Sequence, residues 1–117
     1  MKKNLLNLSM IFLASTLNAA EKDIASKWCE EQGGQSEYRT INATYVDCLT
    51  TDYAVEAEFD YKWKESIGQS LHYAQATGKK PGILFIRRAN SRVDYYTQLI
   101  DTISHHNLNI RVFLTDK

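Results

Sequence analysis

Three acidic residues on neighbouring candidate strands point to metal-ion chemistry. Asp47 lies on one predicted strand, and Glu56 and Glu58 alternate on the next. Residues two apart on a strand share a face, so both glutamates can point into one cleft. Mg²⁺ and Mn²⁺ prefer such hard oxygen ligands, and one or two protein carboxylates suffice when a phosphate ester supplies further oxygens. The pattern therefore indicates a site where a divalent metal ion meets a phosphate.

The helix predicted next in the chain supplies partners for these acids. Lys62, Gln69 and Tyr73 fall on one stripe of that helix. Lys62 is a candidate for holding a scissile phosphate or orienting a metal-bound water. Gln69 is a candidate for hydrogen bonding to that water or to a carboxylate, and Tyr73 for contacting the nucleic-acid backbone or a base. The alternative is a solvated strand face beside a polar helix edge.

Strand register decides whether Asp47 joins the two glutamates. A connecting loop of two or four residues places Asp47 on the same face as Glu56, and a simple three-residue loop turns it to the other face. A β-bulge would restore the shared face. The sequence leaves these alternatives open.

Hydrophobic periodicity predicts the element order αβββαβαβ. Three successive strands suggest an antiparallel meander, and the later βαβ unit suggests a parallel pair. The expected class is therefore α/β, a mixed sheet with an αβββαβ core flanked by helices, plus a C-terminal helix and strand. On the helix that carries Gln69, the residues expected to face the sheet are Trp63, Ile67, Ser70, Leu71 and Ala74. The predicted ranges are helices at 22–32, 62–77 and 92–106, and strands at 36–41, 43–49, 53–59, 83–86 and 110–114.

The first residues have the layout of a signal peptide. Lys2 and Lys3 precede an apolar run, and small residues end at Ala20. We expect residues 1–20 to be cleaved and residues 21–117 to form a single domain that is periplasmic or secreted. No stable membrane association is then expected, although an N-terminal anchor that stays attached is the alternative.

Cysteine usage and charge constrain this domain further. Cys29 and Cys48 are the two cysteines, and in an exported chain such a pair predicts a disulfide, worth roughly 3 kcal/mol for a loop of about 20 residues. Residues 21–117 contain 12 basic and 14 acidic residues and carry a net charge of −2. Nucleic acid is therefore not attracted non-specifically, and a bound metal ion would have to supply local positive charge. For a domain this small, a homodimer is an option.

These motifs resemble those of the PD-(D/E)xK, or restriction-endonuclease-like, nuclease superfamily. The order Asp47, Glu56-Ala57-Glu58 and Gln69-Ser70-Leu71-His72-Tyr73 is similar to the branch with a Gln-x-x-x-Tyr helix motif, seen in RecB-like and lambda-exonuclease-like nucleases. The resemblance covers roughly residues 28–90. It implies that Asp47 and Glu56 bind the metal and that Gln69 and Tyr73 form the helix motif.

The chain departs from that pattern at one position. Glu58 stands where the signature has a lysine, and Lys62 is the candidate replacement, with Lys64 second. The resemblance implies an exported nuclease that uses Mg²⁺ or Mn²⁺ and acts on DNA or RNA, with DNA the more expected substrate. In it, Asp47, Glu56 and Glu58 would bind the metal beside catalytic Lys62, Gln69 and Tyr73. The alternative is an inactive nuclease-fold binding module in the periplasm or outside the cell, which the missing lysine and the mildly acidic charge favour.

Overall fold

Five strands form one mixed sheet, with helices packed on both of its faces. The structure, a computed structural model, describes the backbone of residues 2–116 and the side-chain surroundings of residues 16–116. A 3₁₀ turn, Asp60–Lys62, precedes the second helix. The helices are α1 (Lys2–Glu31), α2 (Trp63–Thr77) and α3 (Tyr95–His105), and the strands are β1 (Gln35–Arg39), β2 (Tyr45–Leu49), β3 (Tyr53–Phe59), β4 (Lys80–Arg87) and β5 (Arg111–Asp116).

The strands lie in chain order across the sheet. β1, β2 and β3 are antiparallel, whereas β3, β4 and β5 are parallel and are connected through α2 and α3. The predicted α/β class with a mixed sheet is confirmed. α3 begins at Tyr95, later than predicted, because the Asp94 side chain caps it by accepting the Thr97 N–H at 3.1 Å.

Alternation along β3 sorts its side chains between two layers. Val55, Ala57 and Phe59 face α1 and join one apolar core. A second core lies between the sheet and helices α2 and α3. Glu56 and Glu58 must therefore point toward the α2 side, because successive strand residues face opposite ways.

The buried stripe of α2 is rotated relative to the prediction. Trp63 is buried as expected, but the expectation for Leu71 is wrong, since this side chain is 38% exposed. Ser70 is buried as predicted, and Ser66, which was predicted to lie on the neighbouring stripe with Gln69, is buried as well. Their hydroxyls donate to helix carbonyls of Trp63 and Ile67, so burial leaves neither hydroxyl unpaired and the small side chains allow close contact with the sheet.

Helix α1 is longer than the predicted 22–32 helix, because its backbone is helical from Lys2. The predicted signal segment, residues 1–20, lies largely outside the residues whose side chains are described. Of its described residues, Ala20 packs against the core under α1. Among the described side chains, no helix has a stretch long and apolar enough to cross a membrane.

The predicted disulfide is confirmed and joins α1 to β2. Cys29 and Cys48 are bonded, with Cα atoms 5.5 Å apart. Gly34 passes so close that a Cβ atom there would lie 2.8 Å from both sulfurs. The bridge therefore fixes β2 at the residue next to Asp47.

Candidate functional site

The site begins where β2 separates from β3. In the antiparallel register, Cys48 lies opposite Val55, and a tight turn closes the hairpin, with Thr50 N–H donating to the Tyr53 carbonyl at 2.9 Å. This is the two-residue loop that places Asp47 and Glu56 on one face. Pairing is not continued at Asp47, so the strands diverge and leave a gap that side chains fill.

Asp47 takes the place of the missing strand partner. Its Oδ2 accepts the Ala57 N–H at 2.8 Å, which satisfies a backbone donor that β2 no longer reaches. The same side chain shares a hydrogen bond with the Glu56 carboxyl. The structure thus brings Asp47 and Glu56 together, as the metal-site prediction requires.

Glu21 reaches the same gap from α1. Its carboxyl accepts the Phe59 N–H and shares a hydrogen bond with Glu58. Glu58 has a second oxygen, Oε1, that is buried without a hydrogen-bond partner among residues 16–116. Glu21, Asp47, Glu56 and Glu58 form one group, here called the acidic cluster.

Burial excludes the solvated-face alternative for the two strand glutamates. Glu56 is 3% exposed and Glu58 is 6% exposed. Buried carboxylates without a cation are costly, so protons are retained. Burial and the Asp47 charge raise the pKa of Glu56 to about 11. Burial and the contact with Glu21 raise the pKa of Glu58 to about 9.

The remaining two acids are shifted in the same direction. Burial raises the pKa of Asp47 and the pKa of Glu21 above their ordinary values. The hydrogen bond between the two side chains lowers the pKa of Asp47 and raises the pKa of Glu56, so Glu56 is the protonated donor to Asp47. The cluster is thus held together by shared protons.

The predicted helix residues flank the cluster. With its amide nitrogen turned toward β3, Gln69 donates to the two Glu56 oxygens at 2.8 and 3.3 Å. The Tyr73 hydroxyl lies 3.3 Å from the Gln69 amide, and burial and the Glu56 charge raise the pKa of Tyr73. Lys62 is near enough for its charge to act on Glu58 and Glu21. The Lys64 ammonium instead lies over the Trp63 ring, 5.7 Å from its centroid.

The cluster suits a divalent cation by its donor chemistry. Within residues 16–116, no three His, Cys, Asp or Glu side chains stand at the spacing of a preformed metal centre. Mg²⁺ needs only one or two protein carboxylates, because it keeps several waters. Asp47 and Glu56 are hard donors of this kind, and Glu58 Oε1 is a further buried carboxylate oxygen without a hydrogen-bond partner among residues 16–116. A cation there would take the place of the shared protons.

A separate cleft does not share this chemistry. It has a volume of about 570 Å³ and lies between the ends of β4 and β5 and the start of α3. Its arginines are paired with acids: Arg88 with Asp60 at 2.6 Å and Arg87 with Asp116 at 3.0 Å. These pairs explain the burial of Asp60, and we assign the cleft no role in the chemistry.

Glu21 is the member of the cluster that sequence reasoning missed. The predicted cleavage at Ala20 made Glu21 the first residue of the mature chain, and it was therefore not considered as a site residue. A signal was nevertheless present, because Glu21 lies four and eight residues before the buried Ala25 and Cys29. This spacing places all three on the stripe that faces the sheet.

Comparison with known proteins identified no relative of this chain. No family model, curated protein or solved structure matches the chain. The superfamily resemblance therefore rests on the motif residues of the sequence.

Proposed function

We propose that this chain is an exported, metal-dependent nuclease that hydrolyses phosphodiester bonds, in DNA rather than RNA. One observation carries the proposal: the acidic cluster is buried where β2 leaves β3. Four carboxyl groups meet there, and the charge of Lys62 acts on two of them, Glu21 and Glu58. Such concentrated, perturbed acids are typical of functional sites.

Each side chain has a part in this proposal. Asp47 and Glu56 would hold Mg²⁺ or Mn²⁺, with Glu58 as a further oxygen donor. A bound ion supplies charge stabilisation at the phosphate and lowers the pKa of a bound water. Lys62, whose charge acts on Glu58 and Glu21, would hold the substrate phosphate.

The helix residues act on Glu56 and on the substrate. Gln69 fixes the Glu56 carboxyl through its two contacts. Tyr73 adds a hydroxyl beside them, in reach of the nucleic-acid backbone or a base. Both residues therefore orient the groups that hold the ion and the strand.

Export is supported by two features. The Cys29–Cys48 bridge is compatible with an oxidising compartment such as the periplasm or the extracellular space. The basic, apolar and small-residue order of residues 1–20 is the pattern of a secretory signal.

A catalytically inactive binding module is the second candidate. Glu58 occupies the place where the superfamily signature has a lysine, and the charge of residues 21–117 is −2. Such a protein would keep the fold and bind nucleic acid or a metal ion without cleaving a bond.

Cleavage assays on Asp47→Asn separate the two candidates. The wild-type chain is incubated with plasmid and single-stranded DNA in Mn²⁺, in Mg²⁺ and in EDTA. Asparagine still accepts the Ala57 N–H but loses the charge, so we expect metal-dependent cleavage to fall about 100-fold or more. Glu37→Gln is the matched control, because Glu37 is a solvent-exposed neighbour of Asp47. Equal cleavage by Asp47→Asn and wild type rejects the assignment, and no metal-dependent cleavage by wild type favours the binding module.

A further inference from the structure

The β1–β2 hairpin, whose second strand carries Asp47, has an ordered tip. Thr40 N–H donates to the Thr44 carbonyl at 2.8 Å, and the two threonine hydroxyls lie 2.7 Å apart. Ala43 N–H closes the turn on the Thr40 carbonyl at 3.0 Å. Within this fixed turn, Ile41 is 94% exposed, so its apolar side chain is held out into solvent.

The hairpin continues the face on which the metal-site acids lie. Val46 and Cys48 are buried on the α1 side of β2, so Tyr45 and Asp47 face the other way. Tyr45 is 52% exposed, and Arg39 lies directly opposite it on β1. Side chains directly opposite on antiparallel strands are close neighbours. Arg39 and Tyr45 therefore extend the Asp47 face outward from the gap.

The two side chains have complementary chemistry for a nucleic-acid strand. Among residues 16–116, no carboxylate forms an ion pair with the Arg39 guanidinium. An unpaired arginine offers forked donors for a phosphate, and an exposed tyrosine ring offers a platform for stacking a base. Asp47 lies two residues from Tyr45 on the same face of β2, so a strand held on the hairpin would run toward the proposed metal site.

We propose that Arg39, Tyr45 and Ile41 form a binding surface for single-stranded nucleic acid, here called the hairpin surface. Arg39 contacts a phosphate, Tyr45 stacks on an unpaired base, and Ile41 supports a neighbouring base from the hairpin tip. This inference rests on the proposed function, because it identifies the substrate class of that site as an unpaired strand.

Fluorescence anisotropy with a labelled single-stranded oligonucleotide tests the hairpin surface. The full chain is titrated in EDTA, which keeps the oligonucleotide intact, at several salt concentrations. Tyr45→Ala is expected to raise the Kd about tenfold, with an unchanged salt slope. Arg39→Gln is expected to raise the Kd. It should also reduce the slope of log Kd against log salt concentration by about one, because one fewer counterion is released. Ile41→Ser is expected to have a smaller effect, of about threefold.

Matched controls come from the loop between β4 and α3 and from β5, the edge strand opposite β1. Arg92→Gln removes an exposed arginine, and Leu114→Ser removes an apolar side chain that is 47% exposed on β5. Both variants are expected to bind within about twofold of wild type.

The possible results separate the hairpin surface from the nuclease assignment. Hairpin-dependent binding without cleavage in Mn²⁺ supports this surface while rejecting the nuclease. Metal-dependent cleavage with unchanged binding by Tyr45→Ala and Arg39→Gln overturns the surface alone. Failure of wild type to bind the oligonucleotide also overturns it, as does hairpin-dependent binding to anionic lipid vesicles in place of the oligonucleotide.

Discussion

The Glu56→Gln variant is expected to lose metal-dependent nuclease activity by about a thousandfold or more. Glutamine has the shape of protonated glutamic acid but no charge with which to hold a cation. Its amide nitrogen can donate to Asp47, and its oxygen can accept from Gln69, so the contacts of Glu56 are retained. The loss would therefore report the missing charge and not a disturbed fold. Initial rates on a fluorescent DNA substrate in Mn²⁺ measure it.

Stability distinguishes this variant from a merely damaged protein. Because Glu56 keeps its proton in the folded chain, glutamine removes the cost of holding an acid there at alkaline pH. We expect Glu56→Gln to raise the free energy of unfolding at pH 8 by about 1 to 2 kcal/mol. Asp101→Asn, at an exposed position on α3, serves as the control and should change neither activity nor stability. An active Glu56→Gln variant would remove this residue from the proposed chemistry.

The free energy of unfolding of the metal-free chain is expected to fall as pH rises from 5 to 9. Glu56 has a folded pKa of about 11 and Glu58 one of about 9, against an ordinary value of 4.5 for each. The folded state therefore binds more protons than the unfolded state in this window. Its stability contribution is complete below pH 4.5 and declines as pH rises toward the folded values. We expect a loss on the order of 3 kcal/mol.

Urea unfolding at several pH values in EDTA measures this slope. Mn²⁺ should restore stability at pH 9 by binding only the folded state, and Glu56→Gln should flatten the profile. A profile that is flat or rises between pH 5 and 9 would show that the strand glutamates are ionised in the metal-free fold.

Periodicity was sufficient to predict much of the fold. The alternation in residues 53–59 predicted that Glu56 and Glu58 face the opposite side of the strand from Val55 and Phe59. Strand β3 has this arrangement. The α2 face was harder to predict, because Leu71 is more apolar than Ser66 yet lies outside. Serines that bond their own helix carbonyls pack closer to a sheet than leucine does, and a hydrophobicity pattern carries no information on that distance.

The sequence predicted the site residues that β2, β3 and α2 contribute. It did not predict that these residues are buried. The motif order placed Asp47, Glu56 and Gln69 near one another, and the two-residue turn decided the register. Glu21 was missed because a long-range contact between α1 and β3 has no local signature. The depth of Glu58 was missed for the same reason, since alternating charges on a strand usually indicate a solvated face.

A Mn²⁺ titration by isothermal calorimetry tests most directly whether the acidic cluster binds a divalent cation. At pH 8, the wild-type chain should show one saturable site with a Kd below about 1 mM. Repeating the titration in buffers of different ionisation heat should reveal proton release on binding. Glu56→Gln should show neither. Absence of saturable binding by wild type, or equal binding by Glu56→Gln, would contradict the account.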